Sequence, residues 1–168
     1  MSVAEHRANA PASVSCGVVT ISDSRTLDTD TSGAAIADLL ARAGHTVAAR
    51  RLVPDDPKAV ADAVRDVLAF GADAVITTGG TGIAHRDTTF EAIAGLLERQ
   101  LPGFGELFRA LSFQDIGSAA MLSRATAGTS GRAVVFVLPG SESAVRLAME
   151  KLILPELGHI VRELRRST

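Results

Sequence analysis

Four stretches of the chain are short, apolar and rich in β-branched residues: Val14–Ile21, Val47–Val53, Ala74–Thr78 and Ala133–Leu138. Their length and weak polar alternation predict strands buried on both faces, as in a parallel sheet. Between them the apolar positions follow the helical period. Ile36, Leu39, Leu40 and Ala43 line one face of 31–43, and Gly44 is a natural stop. Val60, Val64, Val67 and Leu68 do the same over 57–70, with Asp56 as N-cap, Pro57 as first helical residue and Gly71 as terminator. Thr88 and Glu91 have capping-box spacing ahead of Ile93, Leu96 and Leu97. A last helix is expected from Ser141 through Val145, Met149 and Leu152. Pro155 interrupts it, and Leu157, Ile160, Val161 and Leu164 carry the apolar face onward.

Alternation of this kind implies right-handed strand–helix–strand crossovers. The expected fold class is a three-layer, doubly wound α/β structure. It has a mostly parallel sheet, helices on both faces and one short antiparallel strand. That strand is read at Met121–Ala127, turning through Thr129-Ser130-Gly131 into 132–138. Residues 1–13 are expected to form a flexible tail, and 14–168 a single α/β domain.

Composition narrows the function classes. The chain has 168 residues, and its 17 basic and 19 acidic side chains leave a net charge of −2. No broad basic face is expected, so nucleic acid is not an expected partner. No apolar run approaches the ~18 residues of a membrane span. No secretory signal is visible in 1–13. The single cysteine, Cys16, cannot form an intrachain disulfide and lies inside an expected strand, where packing is its natural role; a cytoplasmic location is the expectation. Only Lys58 and Lys151 are lysines, so few are available to grip a phosphate or form a Schiff base. The histidines, at 6, 45, 85 and 159, have no metal-ligand spacing along the chain. Ser22 and Ser141 have no histidine partner at a recognisable spacing and no Gly-x-Ser-x-Gly elbow is present, which argues against a hydrolase triad.

In an open α/β sheet, ligands bind beyond the carboxyl ends of the strands. Four such ends deliver polar and glycine residues here. They are Ser22-Asp23-Ser24 with the loop 28–33, Pro54-Asp55-Asp56, Thr77-Thr78-Gly79-Gly80-Thr81-Gly82, and Pro139-Gly140-Ser141. The Thr78–Gly82 loop admits two readings: a bare strand-to-helix turn, or a nest of amides that cradles an anion. It matches neither the Walker A spacing nor the dinucleotide fingerprint. Asp87 is free to face the ligand edge if Thr88 caps the next helix, and Asp55 is free if Asp56 caps its own. Two carboxylates beside a phosphate cradle suit Mg²⁺, which takes hard oxygen ligands and bridges to substrate phosphates. Solvated surface aspartates are the competing reading.

Several segments occur together in a recognisable order. These are Thr78-Gly79-Gly80-Thr81-Gly82 with Arg86-Asp87, then Pro102-Gly103-Phe104-Gly105-Glu106, Met121 to Gly128 around Leu122-Ser123-Arg124, and Leu138-Pro139-Gly140-Ser141. This set resembles the MoaB/MogA family of molybdenum cofactor biosynthesis proteins over roughly 17–160. The resemblance implies a molybdopterin adenylyltransferase, which joins the AMP part of MgATP to the terminal phosphate of molybdopterin and releases pyrophosphate. It implies that Thr78, Gly79, Gly80, Thr81 and Gly82, with Leu138, Pro139 and Gly140, hold the nucleotide. Asp55 and Asp87 would match the catalytic, metal-holding acidic positions. Ser32 and Ser123 would match pterin-binding positions, and Asp23 follows strand one as in the family pattern. The Asp30-Thr31-Ser32-Gly33 loop and the short tail resemble MoaB more than MogA. Some MoaB-like members lack an acidic residue in the strand-two loop and are thought inactive; here Asp55 is present. The resemblance further implies a homo-oligomer, trimer or hexamer, and a molybdenum-insertion protein as partner. A non-catalytic molybdopterin-binding or scaffold paralogue is the alternative, as is a more distant relative of the competence-damage type.

Overall fold

The computed structural model describes residues 2–166; Met1 and the last two residues of the expected 14–168 domain lie outside the described residues. Six strands form one sheet: β1 (Ser15–Ile21), β2 (Thr46–Val53), β3 (Ala74–Thr78), β4 (Arg99–Gln100), β5 (Thr126–Ser130) and β6 (Ala133–Leu138). Their spatial order is β2-β1-β3-β6-β5-β4. The first four run parallel, and β5 runs against both of its neighbours. The helices are α1 (Val3–Ala8), α2 (Thr31–Arg42), α3 (Pro57–Ala69), α4 (Thr89–Ala94), α5 (Pro102–Ile116), α6 (Glu142–Ala148) and α7 (Leu154–Arg165). This is the doubly wound α/β class expected from the sequence.

The central strands are mostly apolar because both faces are covered, and their buried threonines, Thr20, Thr77 and Thr78, each donate a side-chain hydrogen bond. Alternate residues serve opposite cores. Val18, Ile76, Val134, Phe136 and Leu138 pack with Ile36, Leu40, Phe108, Val145 and Leu157 from α2, α5, α6 and α7, and with Ile153 between the last two. Val19, Val75, Val135 and Val137 pack with Val60, Val64, Val67 and Ile93 from α3 and α4. Every one of these side chains is essentially excluded from water, and burying each contributes about 1.5–3 kcal/mol. Cys16 belongs to the first core, where burial pushes its thiol pKa up to about 12.

Four local expectations change. Residues 1–13, expected as a flexible tail, carry helix α1. Ser2 and Glu5 close a capping box at its start, His6 and Arg7 bond α7, and the Pro11 carbonyl lies close over Gly158. The antiparallel strand lies at Thr126–Ser130 rather than Met121–Ala127; residues 117–122 are a 3₁₀ helix instead. The reason is the turn. Ser130 pairs with Ala133, so only Gly131 and Arg132 turn the chain, and Gly131 supplies the positive φ that a two-residue hairpin requires at its first position. Thr88 precedes α4 but its side chain makes no capping bond, and the helix ends at Ala94, leaving Leu96 and Leu97 in the following turn. Finally, Pro155 does not break the last helix outright. A π turn over Met149–Ile153 absorbs the missing N–H, and α7 continues from it.

One buried charge organises the start of α2. Asp30 is the N-cap, accepting from the Gly33 amide at 2.9 Å. It also accepts from the Thr20 hydroxyl at 2.7 Å and from Arg50 Nη2 of edge strand β2 at 3.0 Å. Burial pushes its pKa up, but the hydrogen bonds from Thr20, Gly33 and Arg50 outweigh it and hold the carboxyl below its ordinary value. A depressed pKa contributes stability above the ordinary carboxylate range, and that stability disappears as pH falls through the lowered value. Asp30→Ala therefore removes a cap and strands Arg50. It is expected to cost about 3 kcal/mol in urea unfolding at pH 7. The difference from wild type should shrink at a pH low enough to protonate Asp30.

Candidate functional site

The order of the strands reverses between β1 and β3, because α2 leads from β1 to β2 on one side and the later chain builds on the other. At such a switch point the loops diverge and leave a crevice at the carboxyl edge. A cleft of about 410 Å³ opens there, lined by Thr20, Ser22, Arg25, Ser32, Thr78, Gly79, Gly80, Gly140 and Ser141.

Hydrogen bonds between the strand ends shape its floor. The Gly79 amide donates to the Leu138 carbonyl at 3.1 Å, and the Thr78 hydroxyl donates to the Pro139 carbonyl at 2.8 Å. The buried Ser32 hydroxyl donates to the Gly140 carbonyl at 2.7 Å, tying the first turn of α2 to the Pro139-Gly140 loop. The glycine loop then turns sharply. Gly79 has φ +104° and Gly80 φ +65°. A Cβ on Gly79 would lie 2.2 Å from the Ile21 carbonyl oxygen, and one on Gly80 would lie 2.0 Å from Thr89 Oγ1. Both positions therefore need glycine for conformation and for space. Because the Gly79 amide is spent on β6, the open amides are those of Gly80, Thr81 and Gly82. Among the described residues they donate to no protein acceptor.

Three carboxylates gather beside this loop. Asp23 Oδ1 accepts from the Asp55 amide at 2.9 Å, and Asp23 is ion-paired with Arg86. Burial raises the Asp55 pKa first of all, followed by the negative charges of Asp87 and Asp23. Asp55 Oδ1 is buried with no hydrogen-bond partner, as are the Thr88 and Thr89 hydroxyls. Asp87 turns back on its own loop, where Oδ2 accepts from the Ala84 amide at 3.0 Å. Thr88 was legible only as a helix cap and Thr89 not at all; their unpartnered hydroxyls at the site follow from the loop geometry, which no motif encodes.

Ser123 lies elsewhere. It lines a second cavity of about 390 Å³ with Gln100, Glu106, Arg109, Arg124 and Thr126. Its neighbour Arg124 bridges the two regions. Nε donates to the Gly82 carbonyl at 3.0 Å and Nη2 to the Asp87 carbonyl at 2.7 Å, while the guanidinium lies 5.4 Å from the Phe90 ring centre and pairs with Glu91. Arg124 thus clamps the 81–91 loop. Of the residues expected at the site, Ser32, Thr78, Gly79, Gly80 and Gly140 line one cleft. Asp23, Asp55 and Asp87 cluster at the glycine loop, and Ser123 lies in the neighbouring cavity beside Arg124, which bonds the Asp87 carbonyl.

The family described as "Probable molybdopterin binding domain" matches residues 17–159. Molybdenum cofactor biosynthesis protein B of Bacillus anthracis is 56% identical, covering 99% of this chain and 100% of that protein. Its namesake in Bacillus subtilis (strain 168) is 53% identical, covering 99% of both. A crystal structure of a molybdenum cofactor biosynthesis protein B superimposes with a TM-score of 0.89 at 54% identity, covering 95% of this chain and all of that one. The tungsten cofactor synthesizing protein MoaB from Pyrococcus furiosus gives 0.85 at 40% identity, covering 94% and 100%. Likeness of this extent, in sequence and in fold together, places the chain in the MoaB/MogA family of molybdenum cofactor biosynthesis proteins.

Proposed function

We propose that this molybdenum cofactor biosynthesis protein adenylylates molybdopterin at the expense of MgATP. The observation that carries the reading is Asp55: a carboxylate crowded by Asp87 and Asp23, with one oxygen buried and unpartnered beside the glycine loop. Of the three carboxylates only Asp23 is ion-paired among the described residues, with Arg86, and the charge of the other two would repel the phosphates of ATP. A cation resolves that conflict, and the hard, partly unsatisfied oxygen set fits Mg²⁺. Asp55 and Asp87 would hold the ion, and when bound it would neutralise charge on the phosphates and on departing pyrophosphate.

The chain's own residues supply position and polarity. The Gly80, Thr81 and Gly82 amides donate to phosphate oxygens. Gly140 would form the opposite wall for the nucleotide, backed by Leu138 and Pro139 and held by Thr78 and Ser32. A phosphate oxygen of molybdopterin attacks the α-phosphorus of ATP; the bond to the β-phosphate oxygen breaks, and its electron pair leaves on pyrophosphate. No side-chain nucleophile is required, consistent with a site built of amides, hydroxyls and carboxylates. Ser32 and Ser123 are the proposed pterin contacts. Ser123 lies in the neighbouring cavity, so the substrate would span both.

Assembly belongs to the same proposal. Leu107, Phe113 and Ile116 of α5 and Met121 and Leu122 of the 3₁₀ helix are each more than half exposed. Such an apolar strip suits contact with further copies of the chain, as a trimer or hexamer. A molybdenum-insertion protein would receive the activated product.

Three measurements test this. With the pKa of Asp55 raised, its ionisation costs stability as pH rises from the ordinary carboxylate range through the raised value. Asp55→Asn should therefore raise the Tm at pH 7.5, with the gain fading towards pH ~4, while pyrophosphate release with molybdopterin falls by ~10²–10³. Wild-type turnover in this variant would remove Asp55 from the reaction, and wild-type turnover in Asp87→Asn would remove Asp87. Next, Asp55→Asn/Asp87→Asn should lose less than the product of the two single losses, since groups sharing one ion couple; multiplicative losses would assign them separate tasks. Finally, sedimentation at micromolar concentration should show a trimer or larger, and Leu107→Glu/Phe113→Glu should dissociate it. A wild-type monomer would exclude the assembly.

A further inference from the structure

Away from the sheet edge, the junction of α1 with α7 holds a second group of chemically capable side chains. His6 of α1 and His159 and Glu163 of α7 place three ligating atoms within 4.8 Å of one another. His159 and Glu163 are four residues apart, hence one above the other on a single helix face. His6 arrives from the other end of the chain, with Nδ1 2.8 Å from Glu163 Oε1. The two imidazoles stand edge to face, 5.4 Å between centres, and their side chains are only 18% and 22% exposed.

The surroundings are organised as an outer shell. His159 Nδ1 lies 2.9 Å from Glu156 Oε2. A carboxylate on one imidazole nitrogen fixes the tautomer and leaves the other nitrogen basic, the arrangement typical of metal-binding histidine. Arg166 holds the second oxygen of Glu163 at 2.8 Å. The attachment of α1 also asks for an explanation. It has six residues and buries none of them. A helix so short is not stable by itself, and its contacts with α7 are polar.

We propose that His6, His159 and Glu163 form a binding site for a late first-row divalent cation, for which Zn²⁺ is the probe, that clips α1 onto α7. Two imidazoles and one carboxylate are a zinc donor set, with water completing the tetrahedron. Glu156 is the positioning residue for His159. Arg7, Arg162 and Arg166 bond the same two glutamates, and their charge opposes the ion. Affinity is accordingly weaker than in zinc sites without neighbouring arginines. The clip also fixes Arg7, which borders an apolar cavity lined by Leu101, Phe104, Pro155 and Ile160.

The test is calorimetric titration of the metal-free, full-length protein with Zn²⁺, alongside amide exchange at 3–8. One ion per chain is expected, with slower exchange at 3–8 on binding. His6→Ala and His159→Ala should each weaken binding roughly tenfold or more, and Glu156→Gln by ~10-fold. His6 contributes nothing to either core, so its variant keeps the fold. Asp55→Asn/Asp87→Asn should bind Zn²⁺ at this site as wild type does, which separates it from the proposed Mg²⁺ position. Absence of binding at submillimolar Zn²⁺, affinity indifferent to His6 and His159, or binding lost only with Asp55 and Asp87 would each overturn the proposal.

Discussion

Three hydrogen bonds onto the end of β6 hold the carboxyl edge of the sheet together: the Gly79 amide to Leu138, the Thr78 hydroxyl to Pro139 and, from the first turn of α2, the Ser32 hydroxyl to Gly140. Each reaches a carbonyl that leaves the end of β6. Without them the glycine loop, the Pro139-Gly140 loop and the first turn of α2 would be three independent loops. With them, the positions of Gly80 to Gly82 follow from the pairing of β3 with β6, in which every residue is buried. The rigidity of the core is thereby passed to polar groups at its rim, which is how a site built from loops can still be preorganised.

A similar transfer occurs on the other side of the crevice. Asp30 joins β1, β2 and α2 through Thr20, Arg50 and Gly33. Asp23 then reaches from the loop after β1 to the Asp55 amide after β2. The carboxylate cluster is thus supported by backbone as well as by charge. Arg124 completes the frame from the β5 side by holding three carbonyls of the 81–91 loop: Thr81, Gly82 and Asp87. The loops that bear the candidate chemistry hang on a small number of buried or half-buried polar anchors.

Much of the fold was legible in the chain because its signals are local. Buried parallel strands read as apolar runs, and Asp56, Pro57, Gly44 and Gly71 mark helix ends by their own conformational preferences. The carboxyl edge that carries the candidate cleft was singled out from strand direction alone. What stayed hidden depends on partners far apart in sequence. The Asp30 network needs Arg50, twenty residues on. Helix α1 is held by residues over 140 positions away. The expected strand moves to 126–130 because its register on β6 is set by the tight turn at Gly131-Arg132, and residues 117–122, outside that pairing, form a 3₁₀ helix. Asp87 faces its own loop because the Ala84 amide takes its carboxylate, a preference no periodicity reveals.

The two borders of the sheet carry a separate consequence. On one side, β2 is a full-length strand with open backbone groups, but Arg50 and Arg51 stand in its middle. On the other, β4 is only two residues long. Charged or truncated borders resist extension by a strand from another chain. Joining of sheets from two copies into one continuous ladder is thereby disfavoured, and with it the contact geometry that leads to fibres.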